Sequence, residues 1–194
     1  MIAYSKIFAP GQIGGLAIEN RLTVTATVTC FADEAGRATE SLLGYYEAKA
    51  RGGWGLIITE DFAVDPGGRS FTRVPGLWED GQIAGYSELT RRIHAFSSRV
   101  FCQIFHAGRQ TSTCVLGGQT PVAPSRLPDT LSGEYPRELT EAEVEALVER
   151  FAAAAERAKA AGFDGVEVHG GHGYLINEFF PLIPTSVRTG TAET

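Results

Sequence analysis

Two imidazoles and a phenol cluster in the stretch Val166-Glu167-Val168-His169-Gly170-Gly171-His172-Gly173-Tyr174. They follow a short β-branched strand, which is where a βα enzyme keeps its chemistry. Alternation puts Val166 and Val168 on one face and Glu167 and His169 on the other. His169 therefore leaves the strand end on the side of Glu167, and the glycines permit a turn sharp enough to bring His172 and Tyr174 beside it. Neutral imidazoles can hydrogen-bond a substrate oxygen, and a neighbouring phenol can hand over a proton. A glycine-rich β-to-α turn with incidental polar residues would show the same spacing, and spacing alone leaves that alternative open. A zinc centre is disfavoured, because His-x-x-His has no third nearby His or Cys to complete a ligand set.

Such a turn needs a sheet to carry it, and the rest of the chain supplies the pieces. Residues 22–28 alternate strictly and read as a first strand. A helix over 40–51 stops at Gly52-Gly53, and a buried strand follows at 54–60. The next helix, 82–97, carries Ile83, Tyr86, Leu89, Ile93 and Phe96 at helical spacing and leads into a strand at 100–105. Thr140 and Glu143 form a capping-box pattern ahead of an apolar stripe of Val144, Leu147, Val148 and Phe151; Gly162 ends that helix and strand 165–168 follows. Helices alternating with buried strands imply parallel pairing and right-handed crossovers, either in an open doubly wound sheet or in a (β/α)8 barrel. The open sheet lacks its usual mark, a G-x-G-x-x-G after the first strand. Two long connections, 61–80 and 107–139, fall on the catalytic side, where loops of such length are usually functional.

Composition narrows the partners. A formal charge of −6 with no basic run argues against nucleic acid or an anionic membrane surface and favours a small-molecule substrate. No apolar run approaches the roughly 20 residues of a membrane span, and the first residues contain no signal-peptide core. The three cysteines, Cys30, Cys102 and Cys114, lack metal or disulfide spacing and suit a reducing compartment, so the expected location is the cytoplasm.

Several segments, in order, carry a family resemblance: Ile7-Phe8-Ala9-Pro10 with Ile13-Gly14, Asn20-Arg21, Tyr45-Tyr46, Gly52 through Glu60, Gln103-Ile104-Phe105-His106-Ala107-Gly108-Arg109-Gln110, Pro121-Val122-Ala123-Pro124-Ser125, and the His169 motif. Over residues 7–180 the chain resembles the N-terminal half of the Old Yellow Enzyme family of FMN-dependent NAD(P)H:flavin oxidoreductases and ene-reductases. The resemblance implies a TIM (β/α)8 barrel, FMN as cofactor, NAD(P)H as reductant, and a substrate with an activated alkene. It implies that His169 and His172 hold the substrate carbonyl in an oxyanion-type role and that Tyr174 protonates the α-carbon. Gln103 would read the flavin pyrimidine edge, since an amide offers both donor and acceptor. Thr25, Ala26 and Thr27 would lie beside the isoalloxazine, although the family commonly has Ala or Ser, Pro and Met there. Asp61 would also contact the flavin. It stands where the family has a small residue, and a carboxylate there disfavours the anionic reduced flavin.

After Phe180 the resemblance breaks. Residues 181–194 read as an aberrant tail. Shifted by one base from the end of the Phe180 codon, their permissible codons can spell Ser-Pro-His-Ser-Asn-Val-Arg-Thr-Asp-Gly-Tyr-Gly-Gly-Asn, the family's own continuation. The expectation is a one-base deletion, tested by sequencing the gene through that point. The fold expected is therefore an α/β barrel truncated after about four βα units, with residues 1–180 as its N-terminal half. A complete barrel takes about 250 residues. Bare sheet edges would favour homo-oligomers; the resemblance places the flavin-phosphate grip near strands seven and eight, so these residues alone are expected to bind FMN weakly and to be inactive by themselves. Two other functions stay open at this point: a flavin-independent barrel enzyme such as an aldolase or isomerase, and a non-catalytic half-barrel that serves as an assembly subunit.

Overall fold

The computed structural model describes residues 4–180. The expected aberrant tail at 181–194 lies outside the described residues. An N-terminal hairpin of β1 (Gly11–Ile13) and β2 (Leu16–Ile18) turns at Gly14, whose φ of +56° suits glycine. The main sheet has four strands, β3 (Thr23–Val24), β4 (Leu56–Ala63), β5 (Arg99–Phe105) and, last in the chain, β8 (Gly165–Val168), all parallel in the order β3-β4-β5-β8. Helices α1 (Glu40–Arg51), α2 (Ile83–His94) and α3 (Glu141–Ala160) form the crossovers. Between β5 and α3, the short strands β6 (Val122–Ala123) and β7 (Arg137–Glu138) pair in parallel inside the long connection. The last element is the single turn α4 (Leu175–Glu178).

The helices form where the sequence marks them. Thr39 caps α1 by accepting from the Leu42 amide, and Thr140 and Glu143 close the capping box of α3. Gly162, at φ +88°, turns the chain out of α3, while Thr90 Oγ1 donates to the Ala161 carbonyl at 2.6 Å to tie that end to α2. His94 takes no part in the site: its Nε2 sits 2.7 Å from Asp164 Oδ2, at the entrance to β8.

One face of the sheet packs against the helices. Ile57, Phe62 and Val64 of the β4 segment and Val100, Cys102 and Ile104 of β5 join Leu42, Tyr46, Leu89, Ile93 and Ala158 in a single core. The opposite face carries Ile58, Asp61 and Ala63 from β4, Phe101, Gln103 and Phe105 from β5, and Gly165 and Glu167 from β8. Gly165 is required there, because a Cβ would stand 2.7 Å from the Phe101 ring. Strand β4 holds one extra residue between Ile58 and Asp61, a β-bulge that reverses the alternation, so that Ile57 and Phe62 both reach the helix-facing core.

The first strand is much shorter than its alternation suggests. Pairing stops at Val24, and residues 25–31 run on without regular structure. Beyond the end of the expected strand, Glu60 takes the amides of Thr29 and Cys30 at 2.9 and 3.2 Å, so these donors go to a side chain rather than to a ladder. At the other edge, Val144, Val148, Phe151, Val168, Phe179 and Phe180 border a wholly apolar groove of about 360 Å³. Among the described residues no helix is long and apolar enough to cross a membrane, and no group of three His, Cys, Asp or Glu side chains could hold a metal ion.

Candidate active site

The site is assembled at the C-terminal ends of β4, β5 and β8. Register places Asp61 beside Gln103 and Gln103 beside Glu167, one lateral row across the face that points away from the helices. Gln103 is buried and donates from Nε2 to Glu167 Oε1 at 2.6 Å. It keeps its second N–H and its carbonyl for another partner.

His169 extends β8 by one step, its amide donating to the Ile104 carbonyl at 3.0 Å. Its Nδ1 accepts from the Gly171 amide at 3.2 Å, which puts the proton of the neutral ring on Nε2. That Nε2 stands 3.1 Å from His172 Nδ1, with the two rings nearly perpendicular at 89°. With the proton of His169 on Nε2, the contact is a chain in which His169 donates to His172 Nδ1, leaving Nε2–H of the exposed His172 as the remaining donor. The rings bond to one another rather than standing free side by side. Burial, and next the charge of His172, push the His169 pKa below its ordinary value, which keeps the ring neutral.

His172 has φ +57° and Gly173 φ +77°, two successive left-handed residues that make the turn. For a non-glycine residue this conformation costs about 1–2 kcal/mol, and neighbouring bonds hold it. Gln110 Nε2 donates to the His172 carbonyl at 2.5 Å and the Gly173 amide donates to Asn177 Oδ1 at 2.8 Å. The turn delivers Tyr174 onto Phe105 and His169, with ring centroids 5.0 and 5.1 Å away. Asp61 and Ser70 adjoin its phenol. Burial, and then the Asp61 charge, raise the Tyr174 pKa, so the phenol keeps its proton. Asp61 is itself pushed up to about 6 by burial and then by the charge of Glu60. The two long connections meet at Tyr174 and border an open pocket of about 320 Å³ lined by Ser70, Phe71, Gln110, Thr111 and Leu131 among others.

Thr25 and Thr27 are exposed and Ala26 is half-buried, on the backbone that lacks a ladder partner after β3. Sequence reasoning gave no role to the residue that fixes this stretch. Glu60 is fully buried; its Oε2 takes the Thr29 and Cys30 amides, and its Oε1 takes the Thr29 hydroxyl at 2.6 Å and the Tyr46 hydroxyl at 3.4 Å. The Tyr46 hydroxyl in turn accepts from the Glu60 amide at 2.6 Å. The only available signal was a carboxylate at the end of an apolar strand. Glu178 of α4 was also passed over. It is buried, accepts from the Arg109 amide at 2.9 Å, and so ties the turn after β5 to the helix after the histidines.

The arrangement therefore offers a bonded imidazole pair with one donor left over, a protonated phenol packed on His169, an amide with donor and acceptor to spare, and a run of backbone outside any ladder. A family model, that of the NADH:flavin oxidoreductase / NADH oxidase family, matches residues 6–189. The chain is 44% identical over 180 residues to an NADH oxidase of Thermoanaerobacter brockii, covering 92% of this chain and 28% of that protein. An NADPH dehydrogenase of Bacillus licheniformis is 38% identical, with 90% of this chain and 50% of that protein covered. Among solved structures, morphinone reductase aligns with a TM-score of 0.79 at 33% identity, over 88% of this chain and 49% of that one. The old yellow enzyme homologue from Zymomonas mobilis aligns with a TM-score of 0.80 at 31% identity, over 89% and 50%. The chain thus spans half or less of the length of these relatives, and its four-stranded parallel sheet with its helices corresponds to half of an old yellow enzyme TIM barrel. The chain belongs to the NADH:flavin oxidoreductase / NADH oxidase family.

Proposed function

We propose that the protein is an FMN-dependent oxidoreductase that passes hydride from NAD(P)H to an activated alkene such as an enone. The observation that carries this reading is the bonded His169–His172 pair with the Tyr174 ring, whose phenol stays protonated, packed on His169. The donor set suits FMN: Gln103 retains an N–H and a carbonyl for a urea-like edge, and the unpaired backbone of Thr25, Ala26 and Thr27 leaves room for a flat ring. When bound, FMN would supply the hydride chemistry. The chain's own residues supply the rest. His172 would hydrogen-bond the substrate carbonyl and stabilise charge building on its oxygen, with His169 fixing the tautomer from behind. Tyr174 would give its phenolic proton to the α-carbon. The pocket beside Tyr174 would take the substrate, and cytoplasmic location accords with the three unpaired thiols.

The test is to load the protein with FMN and follow flavin reduction by NAD(P)H separately from reoxidation by a cyclic enone. Tyr174→Phe should slow the second step and spare the first, because only the second needs the proton. Equal loss in both steps would refute the assignment. One observation favours a second reading, carbonyl chemistry without flavin: Asp61 is a buried carboxyl at a strand end, a usable general base once ionised. Absence of any flavin absorbance change on titration with FMN would favour that reading.

A further inference from the structure

Glu60 and Asp61 are consecutive buried carboxylates that serve opposite faces of β4. The bulge sends Glu60 to Tyr46 and the Thr29–Cys30 backbone, where its two oxygens take four donors. Asp61 goes to the other face and enters no ion pair among the described residues. Ala63, two residues on and on the same face, packs in one cluster with Phe105 and the Tyr174 ring. Seating the ring along β4 brings the phenol to the Asp61 carboxyl, with Ser70 also adjoining it. Ser70 Oγ is buried and has no hydrogen-bond partner among the described residues. The titratable groups that act on this pair are Glu60 from the same strand, His172 from the turn after β8, and Cys30 from the segment after β3; β5 contributes the neutral Gln103.

We propose that Asp61 governs the proton of Tyr174: when protonated it replaces the proton Tyr174 has donated, and when ionised it holds the phenol proton back. This rests on the reading of Tyr174 as proton donor. In the first state the phenolic O–H bond breaks as the bond from that hydrogen to the α-carbon forms. The resulting phenolate then takes the carboxylic proton of Asp61, and the Asp61 carboxylate regains a proton from solvent. In the second state the carboxylate accepts the phenol O–H, and its charge opposes formation of a phenolate beside it. Asp61 changes state near pH 6 in the folded chain, so the switch works in a range the enzyme can meet. Asp61 is here a positioning and relay residue, acting through Tyr174.

Two measurements test it. Infrared difference spectra taken through the titration should show a buried carboxylic C=O band near pH 6 that is missing in Asp61→Asn, beside the band of Glu178, which burial pushes up to about 7, and Tyr174→Phe should shift both the frequency and the midpoint of the Asp61 band. A band and midpoint unmoved by Tyr174→Phe would overturn the proposal, and this arm needs neither flavin nor turnover. In the FMN-loaded protein, single-turnover reoxidation by 2-cyclohexenone should slow about tenfold from pH 5 to pH 7, following the protonated fraction of a group titrating near 6. Asp61→Asn should abolish that dependence, whereas the same dependence in Asp61→Asn would overturn the proposal. A protein that never binds FMN would count against the proposed function while the infrared result still decided the role of Asp61.

Discussion

Replacing Glu60 tests whether one buried carboxylate holds the backbone on which a flavin would rest. Its Oε2 serves the fixed N–H groups of Thr29 and Cys30, and its Oε1 serves the hydroxyls of Thr29 and Tyr46. Glu60→Ala leaves two backbone donors without a partner; each such orphan costs about 1–3 kcal/mol, so the loss should be about 3 kcal/mol or more. Glu60→Gln keeps one oxygen for the two amides and turns an NH2 toward the Thr29 and Tyr46 hydroxyls, which both lose their acceptor but can accept from the NH2 instead, a cost of about 1 kcal/mol. Burial holds the Glu60 pKa above its ordinary value, so losing the charge recovers part of the cost in both variants and leaves the gap between them unchanged. For a domain of this size about 1 kcal/mol moves the melting temperature by roughly 2–4 °C. Thermal unfolding should therefore show a shift of roughly 2–4 °C for the glutamine variant and at least roughly 6–12 °C for the alanine variant. Hydrogen exchange at the Thr29 and Cys30 amides should accelerate in the alanine variant, and its FMN affinity should fall. If both variants melt alike, or exchange at those two amides is unchanged, Glu60 does not hold this segment.

Other expectations follow from the same site and sheet. Asp61 has a folded-state pKa of about 6 against an ordinary 3.8, so its contribution to stability is full below the lower value and is lost as pH rises through the upper one. Asp61→Asn should therefore gain up to about 3 kcal/mol relative to the parent between about pH 4 and pH 7; a difference in denaturant unfolding that stays flat with pH would contradict this. In FMN-loaded protein, His172→Ala should weaken binding of a phenolate by about tenfold or more, the value of a hydrogen bond to a charged group. His169→Ala should weaken it less, because it removes only the group that orients His172, and calorimetry giving equal losses would refute the order of the chain. Gly165→Ala sets a methyl 2.7 Å from the Phe101 ring and should destabilise by about 1–3 kcal/mol. An unchanged melting temperature would mean the ring has room to move.

What the sequence revealed was what neighbours along the chain decide. The limits of α1 follow from Thr39, the helix-forming run after it and Gly52-Gly53, and β8 follows from β-branched residues between Asp164 and the glycines. The capping box of α3 is a contact over three residues and was legible for the same reason. The overlong first strand shows the limit, because alternation from 22 to 28 is local, whereas the ladder that makes a strand needs partners far along the chain, and only Thr23 and Val24 find them, at Leu56 and Ile57. The hairpin at Gly11–Ile18 was missed although Gly14-Gly15 marks its turn, since its strands are three residues each. Within the site the residue types were readable but their relations were not. The order of proton donation between the histidines depends on the Gly171 amide, and the meeting of Asp61 with Tyr174 depends on an extra residue in β4.

That extra residue also sets which changes of length β4 can survive. Side chains alternate, so deleting one residue between Ile58 and Asp61 would turn every later position over. Phe62 and Val64, now in the core beneath the helices, would face the pocket, and Asp61 would be driven among Leu42, Leu89 and Ile93 with no partner for its charge. An insertion at the same place would shift the phase again. The strand can thus change its residues more easily than its length, and lineages of this domain should vary by insertion and deletion in the connections beyond Ala63 while the count from Leu56 to Ala63 stays fixed.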